Sequence, residues 1–92
     1  MDVAARFGEN LRRCRRRAGL SQEELGLRSS LHRTEIGLLE RGARVPRIDT
    51  LVKISSALEI PPSELIAGIE WMPGNTTSGS FSIASAGDPQ SN

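Results

Sequence analysis

The chain has 92 residues, with 12 basic and 11 acidic side chains and a formal net charge of +1 at pH 7. This length allows one domain, and the single cysteine excludes an intramolecular disulfide. A membrane-spanning helix is excluded because no apolar run approaches the ~20 residues that cross a bilayer. Neither a signal peptide nor a set of metal ligands is recognisable, so we expect a cytoplasmic protein without a metal or cofactor.

The charges are divided unequally along the chain. All 12 basic residues lie in residues 1–53, whereas residues 54–92 carry four acids and no base. A basic half is typical of a protein that faces a polyanion, although a solvated charged helix with an acidic tail gives the same totals. The distribution permits a nucleic-acid partner without establishing one.

The first periodic segment predicts a helix over residues 3–18. Phe7, Leu11 and Cys14 recur at helical spacing and form one apolar stripe, so Cys14 is expected to be a buried apolar residue and not a reactive thiol. Gly19 then ends the helix.

Two short helices follow, separated by a tight turn. Ser21, with Glu24 three residues later, has the spacing of a capping box and starts a helix over residues 22–28. Small residues at positions 29–30 mark the turn, and the next helix is predicted over residues 32–41.

Two more helices complete the predicted domain. A loop leads to a fourth helix over residues 48–58, whose apolar residues again recur at helical spacing. Pro62 suits the first turn of a fifth helix over residues 62–67.

The last part of the chain has a different composition. Gly, Ser, Thr, Asn and Pro dominate from residue 73, and such a segment buries too little apolar surface to offset its ordering entropy. We therefore predict a domain over residues 1–72 and a disordered tail over residues 73–92. A weak alternation over residues 80–84 leaves a minor alternative, a strand added in a dimer.

The second and third helices have the arrangement of a DNA-binding helix pair. A helix whose first turn enters the major groove brings its side chains to base edges, while the preceding helix crosses the backbone and holds a phosphate through its first residues. Gln22 starts the first of these helices. The second starts with His32, Arg33, Thr34 and Glu35.

Five segments in order resemble the phage-repressor (Cro/lambda-repressor-like) helix-turn-helix family. They are GLSQEEL (19–25), LHRTEI (31–36), LERG (39–42), LVKISSAL (51–58) and SELI (63–66). The segment over residues 31–42 is similar to restriction–modification controller proteins, a subgroup of that family. The resemblance implies an all-α fold, a compact five-helix domain in which helices 2 and 3 form the helix-turn-helix.

The resemblance also implies roles for individual residues. Positions that would contact bases are Arg33, Thr34 and Leu38, flanked by His32 and Glu35. Positions that would contact phosphates are Gln22, Arg41, Arg44 and Arg47. Arg15 and Glu40 match a structural ion pair, with Arg15 partly buried.

Three of these side chains keep alternative roles. His32 would contact a base, touch a phosphate or cap its helix. Glu35 would accept a hydrogen bond from a cytosine amino group or orient Arg33. Leu38 would meet a thymine methyl group or be an exposed residue without a role.

Two departures from the family pattern bear on stability. Gly26 stands where alanine is usual, which preserves close helix packing but weakens the helix by up to ~1 kcal/mol. Ser30 stands at a turn position that often needs a positive φ, so some backbone strain is expected there.

An apolar cluster follows the fifth helix. It either closes the core or forms a two-fold interface, as small domains commonly do. We expect a homodimer whose interface includes Leu65, Ile69, Trp71 and Met72.

These observations predict a sequence-specific regulator that binds double-stranded DNA as a dimer at a palindromic operator, with the helix over residues 32–41 in the major groove. The alternative is a protein-interaction module of the same fold, an antitoxin or adaptor that uses the acidic half. An enzyme is not expected, since no nucleophile–base set or Gly-rich phosphate loop is recognisable. We expect no membrane or small-molecule partner.

Overall fold

Residues 1–84, the part of the chain that the computed structural model describes, fold into five helices followed by one antiparallel β-hairpin. In chain order the elements are α1 (Val3–Arg17), α2 (Gln22–Ser29), α3 (Arg33–Glu40), α4 (Ile48–Leu58), α5 (Pro62–Leu65), β1 (Ile69–Pro73) and β2 (Gly79–Ile83). Over these residues, no helix is both long and apolar enough to cross a membrane.

Side-chain caps fix the starts of the first two helices. The Asp2 carboxylate accepts a hydrogen bond from the Ala5 amide at 2.8 Å. At α2 the predicted capping box is confirmed: Ser21 Oγ accepts from the Glu24 amide at 3.0 Å, and Glu24 Oε1 accepts from the Ser21 amide at 2.8 Å. The backbone and side-chain hydrogen bonds to Ser21 lower the pKa of Glu24.

One apolar core holds the helices together. Its members are Phe7, Leu11, Cys14, Leu20, Leu25, Ile36, Leu39, Ile54, Leu58 and Leu65. Each large aliphatic or aromatic side chain removed from water in this way contributes about 1.5–3 kcal/mol. Cys14 is buried, as predicted, and burial raises the pKa of its thiol.

Two helical glycines allow backbones to approach closely. A Cβ at Gly8 would lie 2.5 Å from the carbonyl oxygen of Glu40, so α1 passes directly against the end of α3. A Cβ at Gly26 would lie 2.6 Å from the carbonyl oxygen of Leu31. The close packing expected at Gly26 is therefore present between α2 and the turn that follows it.

The turn between α2 and α3 is built from two serines with different roles. Ser29 is buried, and its hydroxyl donates to the carbonyl of Leu25 at 2.6 Å. Ser30 has φ 60° and ψ 39°, a left-handed conformation that is uncommon for a residue with a side chain. The positive φ expected at Ser30 is thus confirmed.

Buried polar side chains of α1 fix the end of α5. Asn10 Nδ2 donates to the carbonyl oxygens of Leu65 at 3.0 Å and Ala67 at 2.9 Å, and Arg6 Nε donates to Ala67 O at 3.3 Å. These bonds satisfy carbonyls that a helix end leaves without partners. The fifth helix ends at Leu65, two residues earlier than predicted.

A β-hairpin occupies part of the segment predicted to be a tail. β1 pairs antiparallel with β2, with Ile69 opposite Ile83 and Trp71 opposite Phe81. The prediction of an all-α fold with a disordered segment from residue 73 is therefore wrong over residues 73–84. The rest of the predicted tail, residues 85–92, lies outside the described residues.

The physical reason for this correction is the pairing of the two strands. The register puts four apolar side chains, from Ile69, Trp71, Phe81 and Ile83, on one face of the hairpin. Each strand has only five residues, and the apolar residues of β1 and β2 are separated by a polar turn, so neither segment alone reveals the face that pairing creates. The strand predicted over residues 80–84 as the minor alternative exists, but it pairs with β1 of its own chain and not with a second copy. Just beyond β2, the Ala84 amide donates a hydrogen bond to Gly68 O at 2.8 Å.

Candidate nucleic-acid interface

The start of α3 protrudes from the core. Ile36 and Leu39 are fully buried, so α3 is held by one side, whereas His32, Arg33 and Thr34 are exposed. We call these three exposed residues the α3 tip. No other segment of residues 1–84 covers them, and the tip presents polar donors and acceptors directly to solvent.

His32 fixes where α3 begins. It lies just before the helix as its N-cap, with φ −69° and ψ 145°, and its Nδ1 accepts a hydrogen bond from the Thr34 amide at 3.0 Å. The helix was predicted to begin at residue 32 and begins at Arg33 instead. Of the alternatives for His32, capping is the one that the structure contains.

Glu35 has a different partner from either one considered in the sequence. Its Oε1 accepts a hydrogen bond from Arg44 NH1 at 3.2 Å, whereas none of its hydrogen bonds within residues 1–84 involves Arg33. The pair holds the Arg44 side chain, which belongs to the loop after α3, beside the first turn of α3. Leu38, one turn further on, is half-buried.

Two predicted phosphate contacts are neighbours across Gly37. A Cβ at Gly37 would lie 3.2 Å from Arg41 NH1 and 3.5 Å from Gln22 Oε1. Gln22 is half-buried and its Nε2 donates to Glu40 Oε1 at 3.1 Å, whereas Arg41 is exposed. The end of α3 and the start of α2 thereby present an amide and a guanidinium together.

Glu40 is the centre of a buried polar cluster behind this surface. Arg15 donates to its two carboxylate oxygens, from Nε at 2.5 Å and from NH2 at 3.0 Å, and Arg12 Nε donates at 3.3 Å. The Glu40 side chain is fully buried and that of Arg15 is 11% exposed. Arg15 also donates to the carbonyl of Leu20 at 2.8 Å, so the ion pair joins α1 to both α3 and the loop before α2.

The protonation of this cluster follows from its hydrogen bonds. Burial raises the pKa of Glu40, but hydrogen bonds from Arg15 and Gln22 outweigh it, and the pKa of Glu40 lies below its usual value. The hydrogen bond to Glu40 raises the pKa of Arg15. Both groups are therefore charged at neutral pH.

The remaining predicted site residues differ in how exposed they are. Arg47 is 85% exposed at the start of α4, where its Nε lies 3.2 Å from an Asp49 carboxylate oxygen. Trp71 and Met72 of β1 are both more than half exposed, and Ile69 is half-buried. Leu65 is fully buried in the core, so its side chain is not available to a second copy, and the prediction that it lies in a dimer interface is wrong.

Two residues of these surfaces, Arg12 and Phe81, were assigned no role in the sequence analysis. Arg12 contacts Glu40 and is 44% exposed; its position three residues before Arg15 puts both on one helix face, which is a readable signal. Phe81 packs edge-to-face on Trp71 with ring centroids 5.1 Å apart, and the alternation over residues 80–84 is the signal for it.

The chain is similar to known proteins over most of its helical part. A family model described as "Helix-turn-helix" matches residues 11–65. The control protein C.BamHI of Bacillus amyloliquefaciens is 41% identical over 61 residues, which cover 65% of this chain and 75% of that protein. The resemblance to controller proteins seen in the sequence is thus confirmed.

Solved structures give the same relationship. The restriction-modification controller protein C.AhdI from Aeromonas hydrophila is 42% identical, with a TM-score of 0.66 over 67% of this chain and 94% of that chain. The P22 c2 repressor, solved in complex with a synthetic operator, is 29% identical, with a TM-score of 0.63 over the same 67% and 94%.

Proposed function

Because this chain belongs to the helix-turn-helix family, we propose that it is a sequence-specific, DNA-binding transcription regulator in which α2 and α3 form the helix-turn-helix. C.AhdI is a restriction-modification controller, and the P22 c2 repressor binds an operator. The proposal carries the same class of activity to this chain. It assigns α3 to the major groove and the start of α2 to the sugar-phosphate backbone.

One observation carries the proposal, namely the uncovered α3 tip. Arg33 and Thr34 are exposed on the first turn of a helix whose other side is anchored by fully buried Ile36 and Leu39. A rigid helix with a free polar first turn fits the major groove, where an arginine donates two hydrogen bonds to guanine and a threonine reaches either a base or a thymine methyl. Arg33 and Thr34 are therefore the proposed base-reading residues, and half-buried Leu38 offers a further apolar contact.

The surroundings of the tip support phosphate binding. Gln22 and Arg41 lie side by side across Gly37, and Arg44 is held beside the first turn by Glu35. Arg47 is 85% exposed, and its pair with the exposed Asp49 leaves its guanidinium accessible to a phosphate further along the strand. Contacts of this kind position a protein on the duplex and release counterions, so affinity should fall steeply with salt.

We also propose that two copies bind a palindromic operator. Trp71 and Phe81 are each more than half exposed on an apolar hairpin face that is well suited to a symmetric contact. A dimer would place its recognition helices about one helical turn apart, ~34 Å. Met72 and half-buried Ile69 would border this contact.

Selection of bound sequences from random duplexes with the purified full chain tests both parts. A two-fold symmetric consensus with half-sites about one helical turn apart is expected. No enrichment, together with no retention on DNA at low salt, would contradict the regulator assignment and favour a protein partner. An enriched sequence without two-fold symmetry would contradict the dimer alone.

Arg33→Ala tests the base-reading assignment on the selected sequence. The variant should lose about 1–3 kcal/mol of binding free energy and relax specificity at one base pair. Arg17→Ala is the matched control, because Arg17 carries the same charge but lies 3.3 Å from Glu64 of α5, away from the tip. If Arg33→Ala weakens binding equally for every duplex, Arg33 contacts a phosphate and not a base.

A further inference from the structure

The hydrogen bond that caps α3 determines which nitrogen of His32 carries a proton. Nδ1 accepts from the Thr34 amide at 3.0 Å. A ring nitrogen accepts a hydrogen bond only when it has no proton of its own, so the neutral imidazole must carry its proton on Nε2. Capping thus selects one tautomer of the side chain.

The selected tautomer leaves a donor at the α3 tip. His32 is exposed, and none of the hydrogen bonds within residues 1–84 uses its Nε2. The next two residues, Arg33 and Thr34, are the proposed base-reading pair. The Nε2–H group therefore belongs to the same exposed edge as these side chains and is available to a partner outside the protein.

We propose that His32 is a DNA-contacting residue whose Nε2–H donates to a base acceptor or a phosphate oxygen while its Nδ1 caps α3. The inference rests on the proposed DNA-binding function. The acceptors within reach of a major-groove helix are purine N7, guanine O6, thymine O4 and the phosphate oxygens. The amino groups of adenine and cytosine present donors there, so an Nε2–H at the same place would reject them.

The choice of residue supports this double role. Asn, Asp, Ser and Thr are the preferred N-caps, and each would accept from the Thr34 amide. The hydroxyls of Ser and Thr and the amide NH₂ of Asn are donors on short side chains that stay close to the cap, whereas Asp has no donor and would add a negative charge beside phosphates. Histidine joins an inward acceptor to an outward donor on one rigid ring.

The tautomer can be measured without DNA. His32 is the only histidine of the chain, so its two ring nitrogens give unambiguous signals in a long-range ¹⁵N–¹H correlation spectrum at neutral pH. A protonated Nε2 beside an unprotonated Nδ1 is expected. The reverse tautomer, or rapid averaging between the two, would overturn the proposal whatever the protein does with DNA.

Two substitutions test the roles of the two ring nitrogens separately. His32→Asn places an amide oxygen near the position of Nδ1 and has nothing at Nε2, whereas His32→Gln places an amide nitrogen near Nε2 and loses the cap. His32→Asn should keep the wild-type melting temperature but bind the selected operator about 3- to 10-fold more weakly, the loss of one hydrogen bond. His32→Gln should melt earlier yet lose less affinity than His32→Asn.

Wild-type affinity in His32→Asn would overturn the donor role.

Duplexes with single 7-deazapurines or single methylphosphonates then identify the acceptor. One such change should weaken the wild type about 3- to 10-fold and leave His32→Asn unaffected: a deazapurine identifies a base and a methylphosphonate identifies a phosphate. If every change weakens both proteins equally, His32 makes no contact with the acceptors tested and the proposal fails, whereas a wild type that binds no DNA refutes the proposed function itself.

Discussion

At the scale of single residues, partners decide the role of each charged side chain. Glu40 receives hydrogen bonds from Arg15, Arg12 and Gln22, while Glu35 receives one from Arg44 in a more exposed place. Removing one partner of a buried pair leaves an uncompensated charge, whereas exposed pairs contribute little. The same residue type is therefore structural at position 40 and peripheral to stability at position 35.

Glu40→Gln should lower the free energy of unfolding by about 3–5 kcal/mol, because the Arg15 guanidinium stays buried without a counter-charge. Urea denaturation followed by circular dichroism at pH 7 measures this loss. Glu64→Gln is the control: its pair with Arg17 is exposed, and it should cost less than about 1 kcal/mol. Equal losses in the two variants would contradict the structural role of Glu40.

The pH dependence of this effect has a defined sign. The pKa of folded Glu40 lies below that of the unfolded chain, about 4.3. The contribution of Glu40 is therefore complete above that unfolded value and is lost as the pH falls through the folded one. The stability difference between wild type and Glu40→Gln should shrink below about pH 4.3, and a difference that persists unchanged into acid would exclude the ion pair as its cause.

At the scale of helices, close backbone contacts set how α3 is presented. α1 passes α3 at Gly8 with no room for a Cβ, since Glu40 O and Leu39 O would lie 2.5 and 2.6 Å away. Gly37 is different, because the nearest atoms are the mobile ends of Arg41 and Gln22. Gly8 positions α3 on the core, and Gly37 leaves space within the proposed phosphate site.

The same substitution at these two glycines should have opposite effects on stability. Gly8→Ala should destabilise by about 1–3 kcal/mol, since backbone atoms must move. Gly37→Ala should stabilise by up to about 1 kcal/mol through helix propensity, yet weaken DNA binding by displacing Arg41 and Gln22. Thermal melts and gel-shift titrations of both variants measure these effects, and a stable Gly8→Ala would contradict the helix contact.

At the scale of the whole molecule, the chain has a basic helical end and an apolar hairpin. A two-stranded hairpin is marginal by itself in water, and this one is anchored through Ala84 and Gly68 while Trp71 and Phe81 stay more than half exposed. Covering two aromatic side chains across a two-fold axis would stabilise both the hairpin and a dimer.

Trp71→Ala should weaken self-association by about 2 kcal/mol or more, the range of an aromatic hot spot. Sedimentation equilibrium measures this constant. The single tryptophan supplies a second readout, since the wild-type emission should shift to the blue with rising concentration. Leu27→Ala, which removes a side chain that is 78% exposed on α2, is the control and should not change association.

An unchanged association constant in Trp71→Ala would exclude the hairpin as the dimer contact. A monomeric wild type at all concentrations would exclude the dimer. Neither result bears on whether α3 enters the major groove, which the selection experiment addresses separately.

The sequence by itself determined the five helices, their apolar stripes and the capping box, because these depend on residues three or four positions apart. The positive φ of Ser30 was expected from the family resemblance, in which this turn position often needs a left-handed residue. The match of Arg15 to Glu40 came from a family resemblance, and the two side chains are in contact in the structure.

Only the tertiary structure decided the remaining features. The contact between Glu35 and Arg44 and the burial of Leu65 depend on which atoms the fold brings together, and helical periodicity does not predict them. The hairpin is the clearest case: Trp71 and Phe81 form one face only after strands ten residues apart have paired. Local patterns specify elements, whereas non-local packing decides which side chains are covered, which are paired and which remain free to bind.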